Sequence, residues 1–217
     1  MKQFLNFING DFVATAKTFE NRNPATNEVV GLVHEAGQAE VDAAVAAGRA
    51  ALKGEWGTMS VVKRAELLHA VADEINRRFD DFLAAELADT GKPRSLASHI
   101  DIPRGAANFK IFADIVKNVP TESFQMTTPD GGTAISYGLR TPLGVVGVIC
   151  PWNLPLLLMT WKVGPALACR QHQSSVKPSE ETPATATLLG EVMNAVGVPK
   201  GSVPGAARLR PRLGRRI

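Results

Sequence analysis

Residues 144–155 read Gly-Val-Val-Gly-Val-Ile-Cys-Pro-Trp-Asn-Leu-Pro, and residues 177–180 read Lys-Pro-Ser-Glu. The first stretch is an apolar, β-branched run that stops at Pro151, presents the neutral amide of Asn153, and offers Pro155 to the first turn of a helix. Such a run over 144–150 is expected of a strand covered on both faces. Residues 155–169 follow with a helical pattern, and 173–177 suit a short strand. Thr182 and Pro183 are good N-cap and N1 residues for a helix over 183–196 that Gly197 would close. The order strand, helix, strand, helix over 144–197 favours a parallel sheet with right-handed crossovers, hence an α/β fold.

Upstream, residues 1–33 read as two short strands around a turn at Asn9-Gly10-Asp11. Four helices follow. One over 39–53 carries Val41, Ala44, Val45, Gly48, Ala51 and Leu52 at helical spacing and stops at Gly54. A second begins near Ser60 with the stripe Leu67, Leu68, Val71, Ala72, Ile75, Phe79. A third runs over Asp81–Asp89 and stops at Gly91, with Pro93 beyond. A fourth covers 95–118 and is expected to bend at Pro103. Residues 133–139 alternate as a half-exposed strand does.

In open parallel sheets, ligands bind outside the carboxyl ends of the strands, where Asn153 falls. An amide N–H there can donate to an oxygen that becomes anionic in a tetrahedral adduct. The competing reading is an Asn that caps the helix at Pro155. Lys177 and Glu180 follow the next strand: a carboxylate accepts from ribose hydroxyls and an ammonium donates to them. The carboxylate also repels a 2′-phosphate, which favours NAD over NADP. A solvated charge pair before a helix is the alternative.

Other classes of function are poorly supported. The formal net charge of +3 comes from the end of the chain: residues 201–217 hold Arg208, Arg210, Arg212, Arg215 and Arg216 and no acid. The body carries a slight acidic excess, so nucleic-acid binding is not implied. A basic arm for RNA or lipid would be expected to interleave aromatics, and this one does not. Cys150 and Cys169 give neither a disulfide framework nor metal spacing, and a reducing, cytoplasmic setting is expected. Both are read as structural thiols made inert by apolar surroundings. His34, His69, His99 and His172 show no ligand pattern and no carboxylate at useful spacing, so no metal site is expected. The run 144–169 is interrupted by Pro151, Pro155, Lys162 and Pro165, which argues against a membrane span.

Pro-Trp-Asn-x-Pro followed one βα unit later by Lys-Pro-Ser-Glu resembles the aldehyde dehydrogenase superfamily. Phe7-Ile-Asn-Gly-Asp-Phe12, Asn23-Pro-Ala-Thr26 and Asp89-Thr-Gly-Lys-Pro93 extend the likeness towards the start. Residues 96–109 and 156–168 look most like the branch that oxidises 2-hydroxymuconic semialdehyde in meta-cleavage of aromatic compounds. The resemblance implies an incomplete Rossmann-like sheet with N-terminal helices. Its implied parts are strands and helices of the NAD-binding domain over 1–120, a bridging hairpin over 121–142 used in homo-oligomerisation, and a partial NAD-binding unit over 143–200. It implies NAD as cofactor, a small-molecule aldehyde as substrate, Asn153 as oxyanion donor, and Ile149, Pro151, Trp152, Lys177, Ser179 and Glu180 at the cofactor.

The superfamily's mechanism needs a cysteine thiolate to form a thiohemiacetal and a glutamate to activate water against the thioester. In relatives both lie downstream of the region matched here, so the chain alone is expected to be inactive. The alternative is a non-catalytic fragment that binds a nucleotide or pairs with a subunit. The sequence also departs from the superfamily pattern. Relatives read Cys-Gly-Asn-Thr-Val-Val-Val-Lys where this chain has Cys169-Arg-Gln-His-Gln-Ser-Ser-Val-Lys177, one residue longer. Arg-Gln-His and Arg208–Ile217 can both be encoded so that a one-base shift yields family-like residues. A slipped reading frame is therefore expected, with 201–217 an aberrant tail, and the gene sequence decides it.

Overall fold

The computed structural model describes residues 1–170 and 172–202, residues 172–175 by their backbone. Five short strands open the chain: β1 (Lys2–Phe4), β2 (Asn6–Ile8), β3 (Asp11–Val13), β4 (Thr18–Arg22) and β5 (Val29–His34). β2 and β3 form a hairpin whose central residues, Asn9 and Gly10, both have positive φ, 53° and 85°. That two-residue turn matches the twist of the strands it joins. The other three strands form a second sheet in the order β1–β5–β4, with β1 parallel and β4 antiparallel to β5. The sequence suggested only two strands here. Three-residue strands are too short to carry a period, and the β1–β5 pairing spans 29 residues.

The helices α1 (Gln38–Ala51), α2 (Glu55–Thr58), α3 (Val61–Arg77) and α4 (Phe79–Thr90) follow. Ser60 caps α3 by accepting from the Lys63 N–H at 3.2 Å, and Gly91 ends α4 in the left-handed conformation. The α3 stripe Leu68, Val71, Ala72 and Ile75 is fully buried. The expected fourth helix is three pieces: α5 (Arg94–Leu96), a π-helical stretch Ala97–Asp101, and α6 (Ile102–Lys117). Pro103 does not bend a continuous helix. It sits in the first turn of α6, where its missing N–H does no harm. The Ile102 N–H just before it reaches back five residues to the Ala97 carbonyl.

An antiparallel hairpin, β6 (Ser123–Thr127) with β7 (Thr133–Tyr137), then projects from the body, and every β6 residue is exposed. The last part is β8 (Val145–Ile149), α7 (Pro155–Ala168), β9 (His172–Lys177) and α8 (Ala184–Ala195). β8 and β9 pair in parallel with Val148 opposite Val176, as the pattern implied. Coverage of β8 on both faces is not found: Val148 is buried, but Ile149 is 72% exposed. An apolar run reports that a strand can be covered, not that the covering element is present.

The core lies where α3, α6 and α7 pack together. Gly105 lets α6 approach α7, since a Cβ there would lie 2.7 Å from Leu156 Cγ. Phe109, Ile102, Leu156 and Val163 fill the seam with no exposure. Thr182 does not cap α8: its hydroxyl is buried and has no partner among the described residues. Asp89 on α4 supplies the cap instead, its Oδ2 accepting from the Ala184 N–H at 2.7 Å.

Arg170 has φ 59°, at the position where the superfamily pattern has glycine. A left-handed conformation costs a side-chain-bearing residue about 1–2 kcal/mol. Arg170→Gly is therefore expected to raise stability by about 1 kcal/mol, read as a higher denaturation midpoint in urea at unchanged slope.

Candidate functional site

Asn153 lies in the turn between β8 and α7, exposed to solvent. It does not cap the helix: the N-cap is Leu154, with no side-chain bond. Its amide makes no hydrogen bond among the described residues, so its donors are available. Its backbone is held from the other side. Lys92 Nζ donates to the Asn153 carbonyl at 2.8 Å and to Asp101 Oδ2 at 2.5 Å. It also stands 3.6 Å from Glu86 Oε1.

Both carboxylates are fully buried. Burial, ahead of all other causes, pushes the Glu86 carboxyl up to about 7; Lys92 and the Leu156 N–H in the first turn of α7 pull it down, and Asp101 and Asp89 push it further up. One turn along α4, Asp89 Oδ1 accepts from Asn21 Nδ2 at 2.7 Å while Oδ2 caps α8. Consecutive turns of α4 thus place acids at the N-termini of α7 and α8, where the helix dipoles favour negative charge. None of this was legible from spacing, although Lys92 and Asp89 lie within a motif already singled out.

The carboxyl edge of the parallel pair gathers the other expected residues. Ile149 is opposite Lys177 in register, and the Cys150 N–H donates to the Lys177 carbonyl at 2.9 Å. Trp152 is 65% exposed, so with Ile149 and the half-buried Pro151 it offers an open apolar platform. Lys177 Nζ lies 3.3 Å from Glu180 Oε2, both half-exposed. Ser179 is buried, and its Oγ accepts from the Glu181 N–H at 3.4 Å, shaping the turn that presents Glu180. Apolar ring-sized surface beside an accessible carboxylate and ammonium fits the base and ribose of a dinucleotide.

The cysteines differ from one another. Cys150 is buried, and its burial pushes the thiol up to about 11, which suppresses the reactive thiolate. Cys169 is exposed, contrary to the expected apolar setting. It caps the far end of α7, about 20 Å from the Asn153 end by helix rise. His69 also departs from expectation: its Nε2 pairs with Asp114 Oδ1 at 3.0 Å, across 45 residues, and that pair sits on the surface. His34 is buried, with its ring between Thr15 and Gln3. Among the described residues no group of His, Cys, Asp and Glu could hold a metal ion, and no helix is long and apolar enough to cross a membrane.

Sequence reasoning also passed over Arg104. Its guanidinium lies over the exposed Trp161 ring, 5.8 Å from the centroid, and it makes no ion pair among the described residues. It is one residue from Gly105, which abuts Leu156 near the start of α7.

Parallel strands with a ligand edge, a cation and carboxylate after the second strand, and an available amide at a helix start define an α/β protein of the dinucleotide-binding class. The chain belongs to the aldehyde dehydrogenase family, whose model matches residues 12–208. It is 69% identical over 203 residues to a 2-hydroxymuconic semialdehyde dehydrogenase of Pseudomonas sp. (strain CF600), covering 93% of this chain and 42% of that protein. It is 57% identical over 201 residues to a 2-aminomuconic 6-semialdehyde dehydrogenase of Pseudomonas sp., covering 93% of this chain and 41% of the relative. Among solved structures, an NAD+ complex of aldehyde dehydrogenase from Bacillus cereus superposes with a TM-score of 0.84 at 36% identity, over 94% of this chain and 42% of that one. The chain thus spans about two fifths of the length of the relatives it matches.

Proposed function

We propose that this chain forms the cofactor side of an NAD-dependent dehydrogenase that oxidises 2-hydroxymuconic semialdehyde to its carboxylate in aromatic meta-cleavage catabolism in the cytoplasm. The observation that carries the reading is the available Asn153 amide at the start of α7, beside the Lys177–Glu180 pair at the carboxyl edge of β8 and β9. Ile149, Pro151 and Trp152 would provide the apolar bed for the dinucleotide, and Ser179 would hold the turn that presents Glu180 to the ribose hydroxyls. The Glu180 charge selects NAD, because a 2′-phosphate would meet it with like charge. NAD, when bound, supplies a hydride acceptor. Asn153 donates its amide N–H to the aldehyde oxygen as that oxygen takes negative charge, a bond worth a few kcal/mol of barrier. The substrate also carries a carboxylate, and Arg104, over the Trp161 ring and without an ion pair among the described residues, is a cation placed to meet it.

By itself the 217-residue polypeptide is expected to turn over nothing. Cys150 is buried with a raised pKa, and Cys169 is a helix length from Asn153. Calorimetric titration of the purified protein with NAD is expected to give weak saturable binding that Glu180→Ala weakens about tenfold, the loss of one charge-assisted contact. Silence in the wild-type titration would defeat the cofactor assignment. NADH absorbance on adding the semialdehyde, lost in Cys150→Ala, would defeat the expected inactivity alone.

A second reading concerns the hairpin. Phe124, Met126, Ile135 and Tyr137 are all exposed on β6 and β7, an apolar ribbon suited to pairing with a subunit. Co-purification with a full-length homologue, abolished by Phe124→Asp and Ile135→Asp together, tests it.

A further inference from the structure

We propose that the cleft at the C-terminal end of α7 binds a small polyanion carrying two or more phosphate or carboxylate groups. The cleft has a volume of about 850 Å³ and lies between the α2–α3 turn, the end of α6, the segment leaving the hairpin and the end of α7. Arg64, Arg140 and Arg170 line it, and no Asp or Glu does among the described residues. It is at the opposite end of α7 from Asn153, so neither the aldehyde nor the dinucleotide accounts for it.

Among the described residues no carboxylate neutralises the three cations. Arg64 is 5% exposed; its Nε donates to the Ala168 carbonyl at 3.2 Å and its Nη1 to that of Met59. Arg170 Nη1 donates to the Gly57 carbonyl at 3.0 Å. Those bonds aim two guanidinium forks, but the carbonyls bring only the partial negative charge of a helix end, about half an electron. Arg140 has no hydrogen bond or ion pair among the described residues, and none of the three has a carboxylate partner there. Gln171, residues 172–175 and residues 203–217 contain no Asp or Glu that could provide one.

Crowding these charges is unfavourable. Burial first, then the neighbouring Arg170 charge, lowers the Arg64 pKa from its ordinary value. An oxyanion received between the forks would relieve that repulsion, and guanidinium geometry suits bidentate bonds to phosphate or carboxylate. The hydroxyls of Ser60 and Thr141 line the same walls and add neutral donors. A concave, acid-free wall also focuses positive potential towards an arriving anion.

Calorimetric titration with inorganic pyrophosphate and, separately, with citrate tests the site and distinguishes phosphate from carboxylate as the preferred group. The protein used is the 217-residue chain with Arg208, Arg210, Arg212, Arg215 and Arg216 changed to Gln, which removes the competing charge of the tail. At least one probe is expected to bind saturably, one per chain, at low-millimolar concentration or better. Arg140→Gln and Arg170→Gly should each weaken that binding about tenfold. Arg170→Gly should also raise the melting temperature, so weaker binding from it cannot be a folding defect. No saturable binding by either probe, or affinity unchanged in both variants, would overturn the proposal.

Discussion

Lys92→Met is expected to destabilise the fold by about 3–5 kcal/mol at neutral to alkaline pH, because it leaves buried carboxylates without their cation. Glu86 and Asp101 are both fully buried, and Lys92, itself only 11% exposed along its side chain, stands against both. Methionine fills most of the same volume, so the loss is electrostatic and not a cavity. The change also releases the Asn153 carbonyl, and with it the turn that carries Trp152. Urea denaturation should show a lower midpoint at unchanged slope. The folded variant should show altered Trp152 fluorescence in a background with Trp56 and Trp161 replaced by Phe. A loss of less than about 1 kcal/mol would mean that the carboxylates are neutralised by some other route. Lys92→Arg keeps the charge and should recover part of the stability, but its larger fork must be fitted into a closed site.

What the sequence made legible was local. Caps and stripes identified α1, α3, α4, α7 and α8 because a helix states its own period and its own ends. The parallel β8–β9 pair followed from the alternation of elements, and Asn153, Lys177 and Glu180 from their place after strands. What stayed hidden depends on pairs of residues far apart. The cap of α8 comes from Asp89, 95 residues away, while the local candidate Thr182 makes no such bond. The tether on Asn153 comes from Lys92, 61 residues away. His69 finds Asp114 only because α3 packs on α6. The exposed edge of Ile149 was misread for a related reason: an apolar strand looks the same in sequence whether or not its second face is covered. The resemblance to a family located Asp89-Thr-Gly-Lys-Pro93 as a mark of kinship, and only packing gave two of its residues a physical task.

Glu86→Gln is expected to abolish a pH dependence of stability worth about 3 kcal/mol between pH 4.5 and 7. Glu86 titrates near 7 in the folded chain against 4.5 as its ordinary value, and a tenfold difference in proton affinity between folded and unfolded chain corresponds to about 1.4 kcal/mol. Because the folded pKa is the higher one, the folded state binds more protons than the unfolded state in that window. Stability therefore falls as pH rises: the contribution is full below about pH 4.5 and is lost by the time pH has passed about 7. The groups facing Glu86 are Lys92, Asp101, Asp89 and the Leu156 N–H, and the substitution keeps all of them. Glu74, Asp114 and Asp130 shift downward, so their contributions change below their ordinary carboxylate range, outside this window. Denaturation at about pH 5 and about pH 8 should bring wild type and variant close together at the first and separate them at the second, with the variant the more stable. Equal differences at both pH values would place the Glu86 titration elsewhere. The Glu86 charge acts on the Asn153 turn through Lys92, which stands 3.6 Å from Glu86 Oε1 while donating to Asp101 and to the Asn153 carbonyl. Trp152 fluorescence should thus titrate with a midpoint near 7 in the wild type and stay flat in Glu86→Gln, which would tie the buried charge to the position of Asn153.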